Sequence, residues 1–468
     1  MSKQFENISD HTQHFAFFKA ESLINRLKKN TSPPQLIMIV FFILIWMGTA
    51  LLTLPHSSST GKSVGLLNAL FTATSAICVN GLIVVDTGSA YSLFGQIIIM
   101  ILIQIGGLGF MTFGVMVAII LGKKIGLKQR LILQQTTHST SAQGLVKLSL
   151  YMVLIAFVFE ALATIVLTLR WHQEFGWGVA AYYALFHSVS AFNNAGFALW
   201  SDSLTPFVGD PIVNITIVVL FIIGGLGYIV VVDLFKIRSW KKLSLHAKVV
   251  LVGTGILSLL GFLVIFLLES WNPSTFGKLD GRERVWAAFF QGITPRSSGF
   301  NTIDIGSMLA ASQFFIIILM FIGASSGGTG GGIKINTFVV LILATIQTFR
   351  GGGQIHAFKR RIAEETVMRA LAVALSSLIV VLIVSLMLSI SEGMLEVHFL
   401  EVLFEATSAF STTGLSMGLT SELSPVGKVI VTITMFVGRL GPLTLAFALA
   451  QKKRTSRIGY AEDHILIG

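Results

Sequence analysis

Four phenylalanines along this chain are each followed, ten positions later, by a glycine: Phe71 to Gly81, Phe186 to Gly196, Phe289 to Gly299 and Phe404 to Gly414. Each segment lies between long apolar runs, and the residue before each glycine is small or polar (Asn80, Ala195, Ser298, Thr413). The chemistry available to such a segment is that of its backbone. Carbonyl oxygens can replace the hydration shell of an ion, and aiming successive carbonyls at one axis requires dihedrals that glycine adopts cheaply. One match would mean nothing. These four are followed, 25, 28, 24 and 24 residues on, by a second glycine: Gly106, Gly224, Gly323 and Gly438. The second mark reads IGGLG from Ile105 and from Ile223, Ile322-Gly323-Ala324, and Val437-Gly438-Arg439-Leu440-Gly441. The result is an internal repeat of roughly a hundred residues used four times. Four re-entrant loops around one axis make a cation filter. The expected ion-lining residues are Cys78, Val79, Asn80 and Gly81; Asn193, Asn194, Ala195 and Gly196; Arg296, Ser297, Ser298 and Gly299; and Ser411, Thr412, Thr413 and Gly414.

A second constellation lies in the third repeat. The stretch Gly323, Ala324, Ser325, Ser326, Gly327, Gly328, Thr329, Gly330, Gly331, Gly332 holds six glycines in ten, and Lys334 follows at once. Such a run cannot hold an α-helix and is expected to form a loop beneath the filter, a flexible gate. The fourth repeat carries Arg439 where the first two have Gly107 and Gly225. An ionisable residue inside a span points to function; Arg439 is expected to bond the loop carbonyls and to repel cations from a closed pore. The competing reading is a structural kink with Arg439 paired to an acid. Glu160 and Asp233 are read as structural partners rather than ion carriers. Arg296 and Glu405, beside filter strands, are candidates to pair and brace the filter from behind. Asp86, Asp202, Asp304 and Glu422, just past the loops, would concentrate cations at an outer mouth.

The elements that must position these groups follow from composition. The chain has 468 residues, 53% hydrophobic and 12% charged, with mean hydropathy +0.80, against about a quarter charged in a soluble domain. Apolar runs of about 20 residues span a bilayer. The expected fold is an all-α polytopic membrane protein of four repeats, each an outer helix, a short re-entrant pore helix, a filter strand and an inner helix, around one pseudo-fourfold pore. Outer helices are expected over 35–54, 148–169, 249–268 and 370–390, and pore helices over 65–77, 178–191, 283–294 and 398–410. Inner helices are expected over 93–121, 211–235, 312–348 and 427–450, giving eight full spans. The repeats occupy 35–147, 148–248, 249–369 and 370–450. They are flanked by an N-terminal arm, 1–34, with two readings, an amphipathic helix over 16–29 or a floppy basic arm, and by a tail, 451–468.

The net charge of +11 invites a nucleic-acid partner, but its distribution argues otherwise: 24 of the 33 Lys and Arg fall in alternate polar segments, 1–34, 122–147, 236–248, 349–369 and 451–468. By the positive-inside rule these segments and both termini are cytoplasmic. No cleavable signal peptide is expected, since residues 1–34 lack an apolar core, and the single Cys78 rules out an internal disulfide framework. The ten histidines are scattered without metal spacing, so no enzymatic activity is expected. No span carries the arginine ladder of a voltage sensor. Inverted-repeat secondary transporters break helices in two halves, whereas these four repeats run in the same order.

The filter segments Cys78-Val-Asn-Gly-Leu82, Asn193-Asn-Ala-Gly-Phe197, Thr294-Pro-Arg-Ser-Ser-Gly-Phe-Asn-Thr302 and Ser411-Thr-Thr-Gly-Leu415, together with the 323–332 loop, Arg439 and the tail 458–468, resemble the Ktr/Trk/HKT superfamily of potassium transporters, and within it the KtrB-type membrane subunits. The resemblance covers nearly the whole chain. It implies K⁺ as substrate, often with Na⁺ stimulation, in the bacterial cytoplasmic membrane. It also implies a homodimer of such pores with the C-terminal tail at its interface. A cytosolic KtrA-like ring of RCK type, binding ATP or ADP, would control the gate. A glycine in all four filters resembles the K⁺-selective members; Asn80 stands where threonine is expected.

Overall fold

The computed structural model describes residues 33–109, 145–237, 239–352, 354–393 and 397–441. The expectations for the N-terminal arm with its 16–29 helix, the later part of the first inner helix, the 122–147 segment up to residue 144, the end of the fourth inner helix and the C-terminal tail lie outside the described residues.

The first repeat comprises α1 (Pro33–Leu52), α2 (Leu66–Cys78) and α3 (Leu93–Leu108). The second is α4 (Leu145–Phe192), α5 (Pro211–Leu226) and α6 (Tyr228–Lys236). The third is α7 (Leu245–Glu269), α8 (Gly281–Ile293), α9 (Ala310–Ile322) and α10 (Ile335–Phe349), and the fourth α11 (Glu364–Ser391), α12 (Phe399–Ser411) and α13 (Pro425–Leu440). Extended structure among the described residues is confined to a hairpin, β1 (His356–Ala357) with β2 (Arg360–Arg361), turned by Phe358 and Lys359 at positive φ, and an isolated antiparallel bridge between Ser58 and Tyr91. Starts are written locally. Ser92 caps α3, Ser424 caps α13, and Asp210 caps α5 with Pro211 at the first helical position, where its missing N–H costs nothing. Asp280 and Glu283 form a capping box on α8.

In the first, third and fourth repeats the pore helix packs on the outer helix of its own repeat, and each inner helix packs on the next repeat: α3 on α4, α5 on α8, α9 on α12, and α13 back on α2. The four repeats therefore close into a ring. Outward faces stay apolar, with Leu154, Ile256, Leu267 and Leu386 about 60% exposed, as suits contact with hydrocarbon.

Two expected boundaries are corrected. No loop separates the second outer helix from its pore helix; α4 runs unbroken through Arg170 and breaks only at Gly176 (φ 72°, ψ 162°). The inner helices are shorter than expected because three of them stop at the last glycine of the IGGLG mark. Gly109 (φ 77°, ψ 131°), Gly227 (φ 83°, ψ 142°) and Gly441 (φ 79°, ψ 139°) adopt nearly one conformation, one open to glycine and strained for other residues. At Gly227 the chain turns by 99° between α5 and α6. Gly323, corresponding to the first glycine of the mark, ends α9 in the third repeat with φ 67°. In place of eight continuous spans, the described residues contain four helices long and apolar enough to cross a membrane, or five counting the bent α5–α6 pair.

Candidate functional site

The pore helices end in a shared way. Val79, Asn194 and Thr412 take left-handed φ values of 55°, 59° and 47°. The next residue's N–H closes a six-residue turn: Asn80 to the Ser75 carbonyl at 2.8 Å, Ala195 to Ser190 at 2.8 Å and Thr413 to Ser408 at 3.0 Å. This Schellman closure satisfies the carbonyls that a helix end leaves free. Pro295 has no N–H to donate, so α8 gives way to turns; Ser297 still takes φ 70°, and Thr294 Oγ1 donates to the Phe300 carbonyl at 2.6 Å. Two residues beyond each left-handed position stands the repeat glycine, with φ of 97°, 70°, 77° and 85° at Gly81, Gly196, Gly299 and Gly414.

These glycines meet. A Cβ on Gly81 would lie 2.5 Å from the Ala195 carbonyl oxygen, one on Gly196 3.0 Å from that of Ser298, one on Gly299 2.6 Å from that of Thr413, and one on Gly414 2.1 Å from that of Asn80. Each repeat thus abuts the carbonyl of the next, and the fourth returns to the first. The ring is lined by backbone, with no room for a side chain at those four positions. The C-terminal, partly negative ends of the pore helices converge on it.

Not every expected lining residue offers its side chain to this ring. Cys78 is fully buried in an apolar cluster with Phe71, Leu82 and Ala409. Ser411 Oγ donates back to the Thr407 carbonyl at 2.6 Å. Arg296 reaches away, its guanidinium donating to Ser258 Oγ on α7 at 2.8 Å. The expected Arg296–Glu405 brace does not form: Glu405, one and a half turns back along α12, accepts instead from Ser416 Oγ at 2.9 Å and Thr420 Oγ1 at 2.5 Å. Asp233 accepts from Ser244 Oγ at 2.7 Å. Of the acids past the loops, Asp86 caps the turn at Ser89, while Asp202 and Asp304 accept from Thr205 and Ser307.

Residues 323–334 form a loop between α9 and α10 that lies directly against the ring. Its placement follows from the broken inner helices. A helix end exposes unpaired carbonyls; those of Gly224 and Gly225 on α5 accept the N–H groups of Thr329 at 3.2 Å and Ser325 at 3.0 Å. Thr329 Oγ1 also donates to Asn194 Oδ1, in the second pore loop, at 2.7 Å. A Cβ on Gly330 would fall 2.5 Å from Ser297 Cβ, and one on Gly331 2.5 Å from Thr412 Oγ1, so the loop touches the pore-loop segments of three repeats. Lys334 Nζ donates to the Gly330 carbonyl at 2.5 Å. Arg439 donates one guanidinium N–H to the Thr329 carbonyl and another to the Gly106 carbonyl near the end of α3. No carboxylate pairs with Arg439 among the described residues.

Sequence reasoning missed Ser258, which meets Arg296, and a glutamine that meets the second pore loop. Gln104, the one polar residue in the later turns of an otherwise apolar α3, meets Glu160 and Asn193 behind the second filter strand. Its isolation in that run was the available signal. The mark's first glycine also has a definite role: a Cβ on Gly106, Gly224 or Gly438 would fall 2.1, 1.9 and 1.9 Å from the carbonyl oxygens of Ile77, Phe192 and Phe410, so these glycines seat the inner helix on the pore-helix end.

A family model described as TrkH, cation transport protein, matches residues 7–457. The chain is 45% identical to the Ktr system potassium uptake protein B of Bacillus subtilis (strain 168), over 93% of this chain and 97% of that protein. It is 38% identical to the potassium/sodium uptake protein NtpJ of Enterococcus hirae, over 95% and 99%. The crystal structure of the potassium transporter TrkH from Vibrio parahaemolyticus superposes with a TM-score of 0.72, covering 90% of this chain and 86% of that one at 18% identity, which establishes a shared fold. With a ring of four pore loops closed by backbone and a family match across nearly its full length, the chain belongs to the TrkH cation transport family of multi-pass membrane proteins.

Proposed function

We propose that this chain takes up K⁺ across the membrane through the ring at Gly81, Gly196, Gly299 and Gly414. The observation that carries the reading is the fourfold closure, in which each glycine is seated on the carbonyl of the next repeat. Such a ring offers oxygens in place of hydration water. The relatives' names, potassium uptake in one and potassium/sodium uptake in another, favour K⁺ as cargo and Na⁺ as an activating ion. The 323–334 loop is the gate. Its glycines let it pack against the filter, and Arg439 holds it there while placing a positive charge beside the path. The bacterial cytoplasmic membrane is the site of action, with both termini inside. A cytosolic nucleotide-binding RCK ring moves the loop, and two such pores form the homodimer.

The test is growth at low K⁺, and K⁺ and Na⁺ uptake, in a bacterial strain lacking its own K⁺ uptake systems, comparing the chain with Gly299→Ser. A side chain there would collide with the Thr413 carbonyl and with Gly196 Cα at 2.7 Å. The reading expects rescue by the chain, alone or with the ring protein, and loss of K⁺ preference in the variant. Rescue by neither combination, or a variant indistinguishable from the parent, overturns it.

A further inference from the structure

Behind the second filter strand lies a carboxylate whose polar partners all belong to the filter or to the helix beside it. Glu160 sits mid-span on α4 and is 3% exposed. Its Oε1 accepts from Asn193 Nδ2 at 3.2 Å and its Oε2 from Gln104 Nε2 at 3.2 Å. Asn193 Nδ2 also donates to Gln104 Oε1 at 2.6 Å and to the Val189 carbonyl at 2.9 Å. No Lys, Arg or His pairs with Glu160 among the described residues. A buried carboxylate without a counter-ion is costly in a protein interior, so its hydrogen bonds must be held firmly for it to persist. Here they hold the first residue of a filter strand.

The geometry points to Glu160 as a positioning residue for ion selectivity, fixing the second filter strand by pinning Asn193 to α3 and α4. Three facts converge on this assignment. Asn193 is fully buried and precedes Asn194, whose left-handed φ of 59° sets the strand's course to Gly196. The Asn193 side chain fills the space opened by Gly107, where a Cβ would fall 2.0 Å from its Oδ1. The third repeat ties the same filter position to its own outer helix, through Arg296 and Ser258. A carboxylate suits the second repeat because two N–H groups, from Gln104 and Asn193, converge on it, and only an acceptor pair answers both. The assignment extends the filter reading given above.

The experiment measures the K⁺ to Na⁺ uptake ratio and the amount of membrane-inserted protein for the chain co-expressed with its ring partner. Variants are Glu160→Gln, Glu160→Leu, Gln104→Leu and the exchange Glu160→Gln/Gln104→Glu. Losing an acceptor for buried donors is expected to lower the ratio about tenfold in Glu160→Leu and Gln104→Leu at unchanged protein level. Glu160→Gln, which keeps one acceptor, should fall between, and the exchange, which restores one carboxylate and one amide, should recover most of the ratio. A purely structural Glu160 would reduce inserted protein and total uptake while leaving the ratio untouched, and that result overturns the assignment. If Glu160→Leu fails to insert, Gln104→Leu decides: an inserted variant with the parental ratio refutes the role. Failure of the filter reading itself shows separately, as Gly299→Ser with unchanged preference.

Discussion

Arg439→Gln should open the pore. The Arg439 guanidinium donates to the Thr329 carbonyl on the loop and to the Gly106 carbonyl on α3, tying the loop to the first repeat, and the gate proposed above would be closed in this arrangement. A hydrogen bond from a charged donor contributes about 1.5–3 kcal/mol. If only the loop-side bond is lost on opening, its removal shifts the equilibrium between closed and open loop by about 10- to 150-fold toward open. The shorter glutamine amide cannot span both carbonyls and also removes the positive charge beside the path. The assay is K⁺ efflux from vesicles of the purified chain alone, where the proposed gate holds the parent shut and the variant should leak at least tenfold faster. Arg439→Lys separates the two contributions: it keeps the charge but loses the two-armed latch, so its flux should lie between. Equal flux in the parent and in folded Arg439→Gln would refute the reasoning. So would an Arg439→Lys protein that leaks as fast as Arg439→Gln, since the charge would then contribute nothing.

Other consequences are testable with simple readouts. Gly438→Ala places a Cβ 1.9 Å from the Phe410 carbonyl oxygen, so α13 must lift from the pore-helix end; overpacking of this kind costs about 1–3 kcal/mol, and thermal unfolding in detergent should show a clear loss. Gly255→Ala on α7, where nothing lies within 4 Å, is the matched control and should be neutral or slightly stabilising, as alanine favours a helix over glycine. Glu269→Gln should lower the unfolding midpoint by a few degrees, because the buried carboxylate accepts from Asn272 Nδ2 at 2.7 Å, Thr275 Oγ1 at 2.6 Å and the Leu309 N–H at 3.0 Å. An amide offers a donor where only donors converge. Because Glu269 clamps the end of α7 to the start of α9 and these hydrogen bonds involve none of the ring residues, the K⁺ to Na⁺ ratio should not change.

The sequence by itself determined the class of molecule and the identity of the ring-forming residues. The repeat of Phe71, Phe186, Phe289 and Phe404 with a glycine ten positions on needed no tertiary information, because glycine's access to positive φ is a local property. The six glycines of 323–332 announced a break in the third inner helix for the same reason, and the caps at Asp210, Asp280 and Ser424 are local as well. What only the tertiary structure decided was where long side chains go and which groups meet. Arg296 stands within a filter segment, yet its side chain turns to Ser258. Glu405 satisfies itself on Ser416 and Thr420, and Glu160 finds a filter asparagine and a glutamine on another helix. These outcomes depend on rotamers and on distances between segments 11 to 56 residues apart, which periodicity does not encode. The breaks at Gly109, Gly227 and Gly441 lie between the two cases. The glycines were visible, but in a bilayer a helix gives up its last bonds only when another segment answers them. For α3 that segment is the guanidinium of Arg439 and for α5 the loop at Ser325 and Thr329, brought there by the closure of the ring.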